Sequence, residues 1–132
     1  MGAEPWSSFT KFESDIQRAL DKLRGDVFAA GAYRYAEENP SSIEEALEIA
    51  DADGTASILD IQRVSDKPDF FCAAPFSADE LKKHFGSDHP TRADIETSED
   101  YWDDLERGQA RYAVAYADGK PSEIYFAGYS FD

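Results

Sequence analysis

The chain has 132 residues and a formal net charge of −15, from 28 acidic residues against 13 lysines and arginines. Its 42% of hydrophobic residues is enough for a packed core, so the charge does not make it a disordered chain. The length predicts a single domain over residues 1–132. Charge of this sign argues against direct binding to nucleic acid or to an anionic membrane, and favours a basic protein partner.

The acidic residues are concentrated in two segments. Eight acids and no base lie between Arg34 and Arg63, in what we call the first acidic block (residues 35–62). Seven acids and no base lie between Arg92 and Arg107, in the second acidic block (residues 93–106). These two blocks account for the entire net charge. Partner binding and a general role in solubility are both open interpretations of this pattern.

The sequence also bears on location. It contains no apolar run of the length that a membrane span requires, and its first residues lack the basic start and apolar centre of a signal peptide. Cys72 is the only cysteine, which excludes an internal disulfide and fits a reducing compartment. We therefore expect a cytoplasmic protein.

The first third of the chain predicts two helices. Apolar residues spaced three or four apart predict a helix that begins at Thr10, where Glu13 completes a capping box, and ends at Gly31. A second, shorter helix is predicted to begin at Ser42, with Glu45 as its capping partner.

The middle of the chain predicts a turn and two strands. The segment DADGT (51–55) interrupts the helical pattern and is predicted to be a turn. The segment ASILDIQRV (56–64) is rich in β-branched residues and predicts a strand. The segment FFCAAPF (70–76) is a short apolar run that predicts a second strand, ending at Pro75.

The last part of the chain predicts helices and then a hairpin. A capping box at Ser77 and a stop at Gly86 bound one helix, and further short helices are predicted from near Thr91 and Ser98. The dipeptide Asp118-Gly119 between two apolar segments is the strongest hairpin signal in the chain.

This order of elements predicts an α+β fold. We expect one antiparallel sheet of about four strands, with the helices packed on one face and a C-terminal β-hairpin.

No arrangement of residues predicts catalysis or metal binding. Cys72 with His84 or His89 could form a thiol-imidazole pair, but Cys72 lies in an apolar run and is predicted to be buried. Gly54 with Asp51 and Asp53 resembles part of an EF-hand calcium loop, but no register supplies the first and last ligands. We therefore predict no catalytic residue, no metal and no cofactor, and consider enzymatic activity the less favoured interpretation.

The acidic blocks are the candidate partner-binding site. On a helix from Ser98, two aromatic residues cluster on one side among carboxylates, which suits a partner that offers Lys and Arg. The predicted partner-binding residues are Glu44, Glu45, Glu48, Asp51, Asp53, Glu99, Asp100, Tyr101, Trp102, Asp103 and Asp104.

In composition alone, the chain is similar to immunity proteins that neutralise nuclease toxins and to proteins that mimic the charge of DNA. We therefore expect an acidic domain that binds a basic protein, with a nuclease-type toxin as one candidate. The alternative is a small enzyme or ligand-binding domain with a pocket between sheet and helices, near Tyr112, Tyr116, Tyr125 and Tyr129.

Overall fold

The computed structural model describes residues 3–131, which form an α+β domain with one five-stranded sheet and four α-helices. The strands are β1 (Pro5–Lys11), β2 (Arg63–Val64), β3 (Cys72–Pro75), β4 (Ala110–Ala117) and β5 (Lys120–Tyr129). The helices are α1 (Ile16–Ala30), α2 (Ile43–Ala50), α3 (Ala78–Phe85) and α4 (Arg92–Glu96). Short 3-10 turns occupy Ala36–Glu38, Asp51–Asp53, Ile58–Asp60 and Asp100–Asp104.

The sheet is mixed, with strand order β1-β5-β4-β3-β2. β5 is antiparallel to both β1 and β4, whereas β3 is parallel to both β4 and β2. The prediction of an antiparallel sheet of about four strands is therefore wrong. The chain between β3 and β4 holds α3 and α4, and a helical crossover of this kind returns the chain in the direction of the preceding strand.

The first strand replaces the predicted start of the first helix. β1 pairs with β5 along its whole length, from Pro5 opposite Tyr129 to Lys11 opposite Glu123. α1 begins only at Ile16. Asp15 caps it, because the Asp15 side chain accepts a hydrogen bond from the Arg18 N–H of the helix. The capping box predicted at Thr10 is wrong because that residue is buried within β1.

Several local predictions are confirmed. Gly31 ends α1 in the left-handed conformation, and Ser42, Ser77 and Thr91 cap the next three helices through their side-chain oxygens. The two residues 118–119 both have positive φ and join β4 to β5, which is the backbone of a type I′ hairpin.

The strand predicted over residues 56–64 is largely wrong. Only Arg63 and Val64 pair in the sheet, while the turn Ile58–Asp60 is a buried 3-10 segment. Ile58 and Ile61 of the predicted strand pack in the core on one face of the sheet and do not extend the sheet. A strand signal based on composition does not distinguish these two outcomes.

Helical segments cover both faces of the sheet, so the prediction that they pack on one face is wrong. Along β5, Ile124 and Phe126 pack in one cluster and Tyr125 and Ala127 in another, as the alternation of a strand requires. The cluster on the first face includes residues of α1 and of the turn Ile58–Asp60, and α2 packs against that turn. The cluster on the second face includes residues of α3, α4 and the turn Asp100–Asp104.

None of the helices within residues 3–131 combines the length and the apolar character that crossing a bilayer requires.

Candidate protein-binding surface

The first acidic block presents one exposed acidic helix. The exposed acids of α2 and of its C-terminal end are Glu44, Glu45, Glu48 and Asp51. Asp53 is half-buried, and its Oδ2 accepts a hydrogen bond from the Tyr35 hydroxyl at 2.9 Å, a bond that raises the pKa of Tyr35. Within residues 3–131, no salt bridge neutralises the four exposed acids.

The second acidic block contains both exposed and engaged carboxylates. Glu99, Asp100 and Asp103 are exposed, and no basic side chain of the described range forms a salt bridge with them. Asp104 differs, because its Oδ2 lies 2.7 Å from Nε2 of the buried His84. Asp104 therefore fastens the turn Asp100–Asp104 to α3 as well as contributing charge.

The two predicted aromatic anchors have different environments. Tyr101 is only 3% exposed, and its hydroxyl forms a hydrogen bond with that of Tyr125. Burial, followed by this hydrogen bond, raises the pKa of Tyr101. Tyr101 is thus a core residue and not a surface anchor, whereas Trp102 is half-buried and packs edge-on against Tyr129 at 5.4 Å between ring centroids.

An exposed aromatic cluster lies outside the predicted site. Phe70 and Phe71 are 50% and 44% exposed, although phenylalanine is among the residues most often buried. Both rings contact Phe131, each with 5.6 Å between ring centroids. We call Phe70, Phe71 and Phe131 the phenylalanine cluster. Exposed aromatic residues held together in this way are candidate contacts for another protein.

The backbone of Phe71 holds a conformation that a bulky side chain rarely adopts. Its φ is +61°, in the left-handed region. The conformation is fixed from both sides, because the Phe71 N–H donates to the Gly108 carbonyl and its own carbonyl accepts from Gln62 N–H, both at 2.8 Å. A strained backbone that its surroundings enforce is more common at functional sites than elsewhere.

The third ring of the cluster, Phe131, packs against the backbone of Gly108. A Cβ atom added to Gly108 would lie 2.2 Å from the Phe131 ring, so the ring packs directly on the backbone. The preceding residue, Ser130, donates its hydroxyl hydrogen to the buried Asp60 at 2.7 Å. The last described residues of the chain are thereby anchored to the first face of the sheet.

The phenylalanine cluster adjoins the first acidic block, and the loop that precedes β3 approaches the second. A hollow of about 140 Å³ is lined by Asp51 of the first block together with Phe71 and Phe131. Another hollow, of about 210 Å³, is lined by Pro68 of the loop 65–71 together with Asp104 and Glu106 of the second block and with Arg111. The hydrogen bond from the Phe71 N–H to the Gly108 carbonyl brings the cluster close to the end of the second block.

Cys72 and the two histidines form local structural contacts. Cys72 is fully buried, as predicted. His84 pairs with Asp104, and His89 pairs with Asp88 at 2.8 Å. Within residues 3–131, no three His, Cys, Asp or Glu side chains are grouped in a way that would hold a metal ion.

The four tyrosines proposed to surround a pocket do not lie together. Tyr112 packs on the first face of the sheet against Phe126, whereas Tyr125 belongs to the second face. Tyr116 instead contacts the ring of His89 at 4.4 Å. Tyr125 lines a cleft between the sheet and α4, and Tyr129 lines a separate hollow, so the four tyrosines do not share one pocket. The alternative of a small enzyme or ligand-binding domain stays a prediction.

Sequence reasoning assigned Phe70 and Phe71 to a buried strand and so missed the cluster. β3 begins only at Cys72. Two adjacent residues of a strand point to opposite faces, and a polar segment, SDKPD (65–69), directly precedes these two. Adjacent phenylalanines after a turn-forming segment were the available signal for exposure.

The chain was compared with protein-family models, curated proteins and solved structures, and none of the three comparisons gave a match.

Proposed function

We propose that this chain is a protein-binding domain that captures a basic protein through the phenylalanine cluster and the acidic blocks beside it. One observation carries the proposal: Phe70 and Phe71 are exposed, and Phe71 is fixed by backbone hydrogen bonds, beside a hollow lined by Asp51, an exposed carboxylate that no salt bridge within residues 3–131 neutralises. Aromatic side chains at the centre of an interface supply most of its binding energy, while charges at its rim set specificity and association rate.

The chemistry of this surface defines a complementary partner. It should offer an apolar pocket for the two rings, surrounded by Lys and Arg side chains that meet the first and second acidic blocks. A nuclease-type toxin fits this description, because proteins that bind nucleic acid do so through clustered Lys and Arg. Occupying such a surface would make the chain an inhibitor or immunity protein. The free thiol of Cys72 supports a cytoplasmic location for this activity.

The test begins with affinity capture on the immobilised chain, identification of the captured protein, and measurement of its association and dissociation rates over a range of salt. We expect a basic partner whose association slows steeply as ionic strength rises. Replacing Phe70 with Ala should speed dissociation by at least about 30-fold, since central aromatics contribute about 2 kcal/mol or more.

Charge variants separate the acidic surface from general solubility. Asp100→Lys combined with Asp103→Lys should slow association and flatten its salt dependence. The matched control is Asp21→Lys combined with Asp26→Lys on α1, which reverses the same number of charges outside both blocks. Asp104 is left unchanged because it is bonded to His84.

Two results would contradict the proposal. One is a captured partner that is neutral or acidic. The other is a partner that binds the variant of the second block and the α1 control at equal rates and is indifferent to Phe70→Ala. Either would make the acidic blocks a solubility feature.

A further inference from the structure

β1 is an edge strand whose outer side has no strand beside it. The sheet begins with β1, which pairs with β5 and with no other strand of the described chain. Seven consecutive residues pair with β5 without a register shift, so the edge is regular. Such an edge offers a row of backbone donors and acceptors to an added strand.

Hydrogen bonds at the two ends of β1 determine which of its backbone groups face outward. Ser130 N–H donates to the Glu4 carbonyl at 3.0 Å, and Phe12 N–H donates to the Ser122 carbonyl at 3.1 Å. In an antiparallel pair, residues alternate between bonding to the partner strand and facing away from it. The even-numbered residues therefore bond to β5, and the odd-numbered residues of β1 direct their N–H and C=O groups outward.

Ser7 and Phe9 are the outward-facing residues in the middle of the strand. Ser7 is exposed, and Pro5 and Lys11 bound the strand at its ends. Proline and lysine commonly limit pairing at sheet edges, but here both lie at the termini of β1 and leave its centre open.

A cleft lies beside this open centre on the second face of the sheet. It has a volume of about 400 Å³ and is lined by Ser7, by the rings of Phe9, Trp102 and Tyr125, and by Glu99. Phe9 packs against Tyr125 with 4.7 Å between ring centroids, which gives the cleft an aromatic wall. Aromatic faces and a carboxylate together favour a cationic side chain.

The charges around the cleft favour a basic occupant. Arg92 lies over the Phe9 ring at 4.1 Å, but its guanidinium is already paired with Glu96 at 3.3 Å and with Glu123 at 2.8 Å. Glu99 has no salt-bridge partner in the part of the chain that the structure describes. The cleft is therefore net negative, with the exposed acids of the second block continuing beyond it.

We propose that β1 is a docking edge for an extended basic segment of a partner protein, which adds a sixth strand and places a Lys or Arg side chain in the cleft. Alternate side chains of an added strand point to the same face, so a segment with a basic residue at every second position matches the site. This inference goes beyond the proposed function, because it requires neither the phenylalanine cluster nor the first block.

The probe is a blocked peptide as long as β1, with alternating Lys and Val residues. Two peptides serve as controls: one has Glu in place of Lys, and the other keeps every side chain but carries backbone N-methyl groups on the central Lys and on the adjacent Val. These two methyl groups block hydrogen bonds to β1 whether the added strand is antiparallel or parallel. Binding is measured by fluorescence anisotropy, and amide exchange of the protein is followed by NMR. We expect the Lys-Val peptide alone to bind, and to slow the exchange of the Ser7 and Phe9 amides.

Ser7→Pro tests the backbone contact directly. Proline removes an outward N–H without removing a hydrogen bond to β5, and edge strands accept proline. We expect this variant to weaken binding about tenfold or more, with its melting temperature close to that of the wild type. Ser7→Ala keeps the N–H and should bind like the wild type. The comparison distinguishes the effect of losing the backbone N–H from the effect of losing the Ser7 hydroxyl.

Several outcomes would overturn the inference. Unchanged exchange of the Ser7 and Phe9 amides in the presence of bound peptide would place the peptide elsewhere. Equal loss of binding in Ser7→Ala and Ser7→Pro would assign the contact to the hydroxyl. If the wild type is a dimer that Ser7→Pro converts to a monomer, β1 pairs with a second copy of this chain and not with a partner protein. Phe70→Ala should leave peptide binding unchanged, so this test and that of the proposed function fail independently.

Discussion

Asp60 is a buried carboxylate that joins the turn Ile58–Asp60 to the end of the sheet. Its Oδ1 accepts hydrogen bonds from the Thr55 N–H at 2.7 Å and from the Thr55 hydroxyl at 2.8 Å. Its Oδ2 accepts from the Ser130 hydroxyl at 2.7 Å. Because Ser130 precedes Phe131, the same carboxylate helps to hold Phe131 of the phenylalanine cluster in place.

Replacing Asp60 with Ala should be severely destabilising. The substitution removes the acceptor of three buried donors, of which the Thr55 hydroxyl can turn to Ser57 Oγ at 2.8 Å. Each buried donor left unpaired costs about 1–3 kcal/mol. Because neighbouring groups are not additive, we expect the free energy of unfolding to fall by about 3–5 kcal/mol. A domain has about 5–15 kcal/mol in total, so the variant should be marginally stable.

Asp60→Asn is the matched, milder variant. The amide oxygen can still accept from Thr55, but the amide nitrogen is a donor and faces the Ser130 hydroxyl. Ser130 Oγ accepts a hydrogen bond from the Ala56 N–H at 2.8 Å and donates its own hydrogen to Asp60 Oδ2. That hydrogen loses its acceptor when the carboxylate oxygen becomes an amide nitrogen. We expect a cost of about 1–2 kcal/mol, for one buried donor left unpaired.

Urea unfolding followed by circular dichroism and tryptophan fluorescence measures these changes. The midpoint should fall in the order wild type, Asp60→Asn, Asp60→Ala, with the slope unchanged. Asp66→Ala removes an exposed carboxylate from the loop 65–71 and should shift the midpoint little. If Asp60→Ala cost less than about 1 kcal/mol, or less than Asp60→Asn, the assignment of this carboxylate as a buried hydrogen-bond centre would be refuted.

Three further predictions concern stability. Gly25→Ala should raise the free energy of unfolding by about 0.5–1 kcal/mol in urea titrations, because a Cβ there meets no atom within 4 Å and glycine is unfavourable inside a helix; a loss of stability would contradict this. Gly108→Ala should lower the melting temperature and displace the Phe131 ring, visible in its NMR shifts, because φ is +74° and the new Cβ would overlap the ring; an unchanged ring would contradict the packing. Burial, then the hydrogen bond with Tyr125, raises the pKa of Tyr101 in the folded state. The stability that the neutral hydroxyl contributes is therefore fully present below the pKa of an unfolded tyrosine, about 10, and is lost as the pH rises above that pKa. Unfolding measured at about pH 8 and about pH 11 should show a smaller fall in stability for Tyr101→Phe than for the wild type, and an equal fall would contradict the prediction.

The features that the sequence determined by itself depend on contacts within a few residues. Ser77 and Thr91 cap helices because their side chains reach backbone N–H groups three residues ahead. The pair Asp118-Gly119 forms a hairpin because both residues accept positive φ. The burial of Cys72 followed from its apolar neighbours. The two acidic blocks are a property of the sequence itself, and their exposed carboxylates include those of α2 and of the turn Asp100–Asp104.

The tertiary structure decided features that depend on distant partners. β1 is a strand because Pro5 to Lys11 pair with β5, more than one hundred residues later in the chain. Its last two residues, Thr10 and Lys11, lie where the sequence predicted the start of a helix. Tyr101 is buried because two helices and a strand close over it, while Phe70 and Phe71 are exposed because β3 starts after them. Local periodicity records which side chains share a face of one element, but burial is set by what that face meets, and that is fixed only when distant segments pack together.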